Sequence, residues 1–271
     1  MGKQEKLIKI IIKHVQSKPK LNKSFDNSNS LQKYSLTQYL VDILYVLKTG
    51  IAWRDLRSKI NWNSVYKVFC KLVKYKLIEE CYQTMLNKYL LKQQQTKLEI
   101  ILTDTTFIPN KNGEELIGQN YYYNRKKGTK VSLITDAKGI TLDAKCYKGN
   151  RYDSKILEDH IDTIKKTNPI KGSRTKKYKR HFLADAGYDS KKLKEKLKKL
   201  GFTPVIAKNK RNSKKKVVKV DKTYRKLYKK RLKVENTIKR IKENRRMINR
   251  YERKIENFKG FLFLTLTKLM C

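Results

Sequence analysis

The chain has 271 residues, 39% of them hydrophobic, enough to bury a full core as one medium domain with a smaller one. Its 67 Lys and Arg face only 24 Asp and Glu, a formal charge of +43, which points to a polyanionic partner, nucleic acid first, although a low-GC genome also inflates lysine. Cys70, Cys81, Cys146 and Cys271 show no CxxC pairing and no nearby histidine, which argues against a zinc site or a disulfide framework and for an intracellular protein that is not secreted. The longest apolar run, Phe261 to Met270, is too short for a membrane span and contains Lys268, so it reads as a final core helix.

Residues 1–95 carry helical periodicity. Leu36, Leu40, Ile43, Leu44 and Leu47 share one face of a helix that Gly50 is placed to end. A second helix is expected from Ser64 to Ile78, with Lys67, Lys71 and Lys74 outward, and a third from Glu79 to Leu91. Such a region is either a helical bundle or a helix-turn-helix DNA reader. Between the first two helices, Trp53 and Trp62 read as core anchors, with stacking on an unpaired DNA base as the alternative. Lys92 to Lys97 reads as a linker.

From Leu98 the period changes from helix to strand. Leu98, Ile100 and Leu102 alternate along a strand that would end at Asp104, and Val131–Thr135 with Ile140–Cys146 forms a hairpin around Asp136 to Gly139. A helix over 154–166, a strand from His181 to Ala184 leading into Asp185, a helix around Leu193 and Leu197, and a strand from Phe202 to Ile206 follow. Lys208 to Lys222 is a basic low-complexity loop, and a long helix is expected over 222–249. This succession describes an α/β domain, 96–271, with a mixed sheet, preceded by a small all-α domain, 1–95. His14 and His160 carry no signal, and Asp143 is expected to face solvent.

On the last helix Tyr228, Arg231, Glu235 and Lys242 would fall on one stripe beside the apolar Leu227, Val234, Ile238 and Ile241. That stripe fits a metal-binding carboxylate ringed by phosphate ligands, and equally a basic helix in which Glu235 pairs with Arg231 and Lys239. Only 14 of the basic residues are arginine, yet seven lie from Arg225 to Arg253, Arg245 and Arg246 among them, which suggests a DNA contact surface. Divalent hard cations need several converging carboxylates. Asp104 and Asp185 at strand ends, with Glu235 on the margin of a buried helical face, are the natural candidates. No G-x-x-x-x-G-K-[ST] loop occurs, so no nucleotide cofactor is expected.

Four segments resemble the DDE transposases of bacterial insertion sequences, in the group that includes insertion sequence families four and five. They are Thr103-Asp104-Thr105-Thr106; Leu183-Ala184-Asp185-Ala186-Gly187-Tyr188-Asp189; the spaced Tyr228, Arg231, Glu235, Lys242 motif; and Thr49-Gly50-Ile51-Ala52-Trp53-Arg54-Asp55-Leu56, with Arg57 where the family usually has proline. The resemblance runs from about Leu36 to the C-terminus. It implies a ribonuclease H-like mixed sheet flanked by helices, with Asp104, Asp185 and Glu235 binding two Mg²⁺ or Mn²⁺ ions. It also implies that Tyr228, Arg231 and Lys242, with Arg245 and Arg246 nearby, hold DNA. The expected partners are double-stranded element ends and target DNA, with a homodimer forming on them. A ribonuclease H-fold nuclease without strand transfer, or a catalytically silent DNA-binding protein, are the alternatives.

Overall fold

The computed structural model describes residues 2–18, 25, 34–92, 99–167, 180–209 and 222–271. Residues 93–97 of the expected linker and most of the basic loop lie outside the described residues; Lys92 ends a helix. The chain divides into two compact units: Met1–Lys92 with Asn110–Glu115 and Arg240–Cys271, and Gln93–Pro109 with Leu116–Lys239. This corrects the expected boundary at residue 95, because the C-terminal helix belongs with the N-terminal ones.

In the helical unit, α1 (Lys3–Gln16), α2 (Leu36–Thr49), α3 (Trp62–Lys74) and α4 (Leu77–Lys92) are joined by α5 (Ile255–Met270). Ser35 and Gln38 form a capping box on α2, and Gly50 ends it at φ 71°, a left-handed conformation that costs glycine nothing. The helix expected over 64–78 instead stops at Lys74, since Lys76 adopts φ 54° just before α4 begins at Leu77. α5 is buried along most of its length because it is the centre of this unit: Phe261 stacks on Phe69 at 4.4 Å and on Trp53 at 5.9 Å, and Phe263 lies 5.4 Å from Tyr82. A strongly apolar helix late in the chain thus supplies the core that the N-terminal helices alone lack.

In the second unit the strands are β1 (Ile100–Pro109), β2 (Gly118–Asn120), β3 (Lys126–Asp136), β4 (Thr141–Lys148), β5 (Arg180–Ala184) and β6 (Phe202–Ile206). They form one mixed sheet in the order β4-β3-β1-β5-β6, with β2 paired to the start of β3. β1 and β4 are antiparallel to β3, while β5 is parallel to β1 and β6 to β5. The β3–β4 turn is held by Asp136 Oδ1, which accepts from the amides of Lys138 and Ile140, and by Gly139 at φ 82°.

Helix α6 (Asp153–Thr167) buries Ile156, Leu157, Ile161 and His160, and α7 (Lys191–Lys199) buries Leu193 and Leu197. His160 is the residue that periodicity missed: its Nδ1 hydrogen-bonds Ser132 Oγ at 2.9 Å and its Nε2 donates to Asp143 Oδ2 at 3.2 Å. Asp143 therefore faces this imidazole, not open solvent.

The helix expected over 222–249 is two, α8 (Lys222–Lys229) and α9 (Leu232–Lys242), followed by a 3₁₀ turn at Arg245–Met247. Between them the amides of Lys230, Arg231, Lys233 and Val234 each bond three residues back, to Leu227, Tyr228, Lys230 and Arg231. That tighter winding takes Tyr228 and Glu235 off a single straight stripe. Among the described residues no helix is long and apolar enough to cross a membrane.

Candidate active site

The site is assembled where β1 and β5 part. Their parallel ladder covers Ile100–Leu102 against His181–Leu183 and then ends. Two further steps of that register would set Asp104 beside Asp185, on strands about 4.8 Å apart. Asp104 therefore lies within β1, not at its end as expected, but it sits where the strand has lost one neighbour. On its other side β1 continues against β3, with Asp104 opposite Leu133.

Local hydrogen bonds fix both aspartates. Asp104 Oδ1 accepts from the amide of Thr105 at 2.9 Å. Asp185 is the N-cap of the short 3₁₀ turn Ala186–Tyr188, whose Tyr188 ring is buried beneath it. Asp189 is a brace: its carboxylate accepts from Lys194 Nζ and from the amide of Asn209, partners that hold it below its ordinary pKa against the opposing effect of burial.

Helix α9 delivers the third carboxylate. Val234 is buried, and Thr237 Oγ1 donates to Gly139 O at 2.8 Å, which ties the helix to the β3–β4 turn. A side chain at 139 would meet Thr237 Oγ1 at 2.8 Å, so the close approach requires glycine. With the helix docked there, Arg231 Nη2 donates to Glu235 Oε1 at 2.5 Å and Nη1 donates to Asp104 Oδ2 at 3.3 Å. Tyr228 donates its hydroxyl to Asp185 Oδ1 at 3.4 Å and stacks on Tyr224.

Both readings of the helical stripe are thus partly realised: Glu235 does pair with Arg231, and that pair sits among the aspartates. Burial raises the Asp104 carboxyl to about 6; the Arg231 guanidinium and the Thr105 amide oppose the rise, while the charges of Asp185 and Glu235 add to it.

Among the described residues no three His, Cys, Asp or Glu side chains stand arranged to hold a metal ion. The oxygens of Asp104 and Glu235 face a guanidinium instead. The donor set is nevertheless one of carboxylate oxygens, the chemistry a hard dication takes, and a cation already bridges two of its members.

A fourth carboxylate lies close by. Asp153 Oδ1 accepts from Thr105 Oγ1 at 2.9 Å and from Lys130 Nζ at 2.8 Å. Nothing in local sequence spacing connects it with Thr105.

Lys242 ends α9, seven positions beyond Glu235, and burial lowers its pKa. Arg245 is exposed, whereas Arg246 is not. Arg246 departs from the expected DNA contact: its Nε donates to Glu252 at 2.6 Å and its Nη1 to the carbonyls of Gly50 and Ile51. Arg250 is likewise fully buried, donating to the carbonyls of Glu115, Glu252 and Arg253. Two of the seven clustered arginines are internal struts, a role that the five-donor guanidinium serves well.

The family described as Transposase DDE domain matches residues 95–270. The chain belongs to the DDE transposase family. It is a DNA transposase, an enzyme that cuts and transfers DNA strands. The structure of piggyBac transposase in a synaptic complex with hairpin DNA is 12% identical, with a TM-score of 0.54, over the whole of this chain and 74% of that one. This is a likeness of fold. The catalytic domain of Mos1 mariner transposase is 9% identical over 62% of this chain and 90% of that one, and its TM-score of 0.30 adds no weight. No curated protein matches by sequence. The mixed sheet with flanking helices is the ribonuclease H-like fold of DDE transposases, as the resemblance implied.

Proposed function

We propose that Asp104, Asp185 and Glu235 are the metal-binding carboxylates of this transposase, that they take two divalent ions, Mg²⁺ or Mn²⁺, and that the substrate is the double-stranded end of a mobile element. The observation that carries the reading is the Arg231 guanidinium, which bridges Asp104 and Glu235 at 3.3 and 2.5 Å while Asp185 occupies the adjoining strand end. The piggyBac complex, which shares the fold, contains DNA, and membership of the DDE transposase family supports a DNA partner and a divalent metal here.

When bound, such ions supply activation of the attacking oxygen and stabilisation of the departing 3′ oxygen. The chain's own residues do the rest. The three carboxylates set where the scissile phosphate must lie. Arg231, released from Asp104 and Glu235, has its planar donors free for a phosphate, with the Tyr228 ring beside it, and Lys242 is a further DNA contact. Arg245, exposed on the 3₁₀ turn, extends the contact. The helical unit binds element ends, and a homodimer pairs two of them. The Gly50 to Leu56 segment and the intact tyrosine, arginine, glutamate, lysine spacing favour the insertion sequence four/five type.

A labelled, pre-cut element end incubated with target DNA and Mg²⁺ tests the reading. Joined product is expected from the native chain, and none from Asp104→Ala, Asp185→Ala or Glu235→Ala, all still binding DNA in a mobility assay. Cleavage without joining would make the protein a nuclease. Undiminished joining by Asp104→Ala would remove the carboxylates from the chemistry.

A further inference from the structure

Helix α6 grips one face of the sheet at the level of the carboxylate site. Thr105 of β1 and Ser132 of β3 are register partners, and side chains paired across two strands share a face. Both are held by α6. The Thr105 hydroxyl donates to Asp153 Oδ1 at 2.9 Å, and Ser132 Oγ hydrogen-bonds His160 Nδ1 at 2.9 Å. Lys130 lies two residues before Ser132, on the same face, and donates to Asp153 Oδ1 at 2.8 Å and to the carbonyl of Arg151 at 2.9 Å.

The helix is a firm support, because Ile156, Leu157 and His160 are fully buried. Asp153 is its first residue and has little freedom to follow a moving strand.

Asp104 precedes Thr105 and so points to the opposite face, where Arg231 meets it. The Thr105 amide links the two faces by donating to Asp104 Oδ1 at 2.9 Å. Beyond Leu102 the ladder to β5 has ended, so β1 has lost one neighbour here, and Asp153 holds it from α6 instead. Asp153 also borders the second aspartate. A side chain at Gly187, in the turn that Asp185 caps, would lie 3.8 Å from Asp153 Oδ2. Tyr188 of the same turn is buried near both carboxylates: burial raises its phenol pKa, and the charges of Asp104 and Asp153 add to the rise.

We propose that Asp153 is a positioning residue of the metal site, which fixes through Thr105 the direction in which the Asp104 carboxylate is presented. The inference rests on Asp104, Asp185 and Glu235 being the ion ligands. Its consequence is ion selectivity. Mg²⁺ demands near-ideal octahedral geometry, whereas Ca²⁺ accepts variable geometry and coordination number. A carboxylate on a fixed strand suits Mg²⁺; one free to swing serves Ca²⁺ almost as well.

Calorimetric titration of the full chain with Mg²⁺ alone and with Ca²⁺ alone tests this without DNA. The native chain is expected to bind both. Thr105→Val keeps the branched shape and loses the hydroxyl. It is expected to weaken Mg²⁺ binding about tenfold and Ca²⁺ binding less than about threefold. Asp153→Ala is expected to give the same pattern, and Thr105→Ser, which keeps a hydroxyl, to bind Mg²⁺ like the native chain. Circular dichroism checks the fold of each variant; if Asp153→Ala does not fold, the two Thr105 variants decide.

Unchanged affinities in Thr105→Val, or equal losses for the two ions, overturn the positioning role. Loss of both ions in Asp153→Ala beside native behaviour in Thr105→Val makes Asp153 a ligand itself, and overturns it too. Undiminished binding of both ions by Asp104→Ala overturns the carboxylate reading, and this inference with it.

Discussion

Asp104 and Arg231 are 127 positions apart in the chain, yet Arg231 Nη1 stands 3.3 Å from Asp104 Oδ2. The guanidinium reaches this point because α9 is docked through Val234 and Thr237, and from there it also holds Glu235. Charge compensation of both carboxylates is therefore supplied by one side chain, which on the proposed function withdraws when ions and DNA phosphate enter.

Arg231→Ala should expose this role. With the carboxylates left uncompensated, the variant in EDTA should be less stable by about 2–3 kcal/mol, at the low end for a broken buried pair because Glu235 is partly exposed. Saturating Mg²⁺ should narrow the difference, since ions replace the lost charge. Urea unfolding of both proteins with and without Mg²⁺ measures it, and an unchanged gap would show that ions and guanidinium occupy different places.

Asp104 predicts a pH dependence. Burial raises its carboxyl from 3.8 to about 6, so between those values the folded chain keeps a proton that the unfolded chain has lost. Stability from this group is fully present below pH 4 and lost as pH rises through 6. The charged group then costs about 3 kcal/mol at neutral pH, at roughly 1.4 kcal/mol per pH unit. Asp104→Asn should remove that slope and be the more stable protein at pH 7 while inactive. Thermal melts in EDTA from pH 4.5 to 7.5 give the comparison, and parallel Tm profiles would contradict it.

His160 joins β3, β4 and α6 through Ser132 and Asp143 with no solvent exposure. His160→Leu should cost about 2–4 kcal/mol, because the hydroxyl and carboxylate would both lose a buried partner. Denaturant unfolding should show the loss with an unchanged m value.

Phe261 is the centre of the helical unit. Phe261→Ala should cost about 3–5 kcal/mol, the usual range for deleting a buried ring. It should also shift tryptophan emission to the red, because Trp53 loses its stacking partner. An unshifted spectrum would mean that Trp53 is held by Phe69 and Tyr66 alone.

Much of the second unit was legible before any coordinates. The period-two runs located β1, β4, β5 and β6 to within a few residues, and the Asp136–Gly139 turn announced its hairpin through side-chain chemistry local to four residues. Asp104, Asp185 and Glu235 were singled out by motif and by their nearness to element ends. His160, Asp153 and Glu252 were not, since each takes its meaning from a partner on another element. The same holds for Arg246 and Arg250, which read as surface cations in sequence and proved to be buried ties between loops.

Taken alone, the amino-acid order determined most of the helices and strands, its polyanion-seeking charge and the spaced motif of its family, because these depend on periodicity, composition and short-range chemistry. Only the tertiary structure decided that α5 completes the N-terminal unit, that the helix breaks at Lys230 and Arg231, and that one guanidinium spans two distant carboxylates. Those outcomes depend on which apolar faces meet and which buried polar atoms find partners, and residues far apart in the chain settle both together.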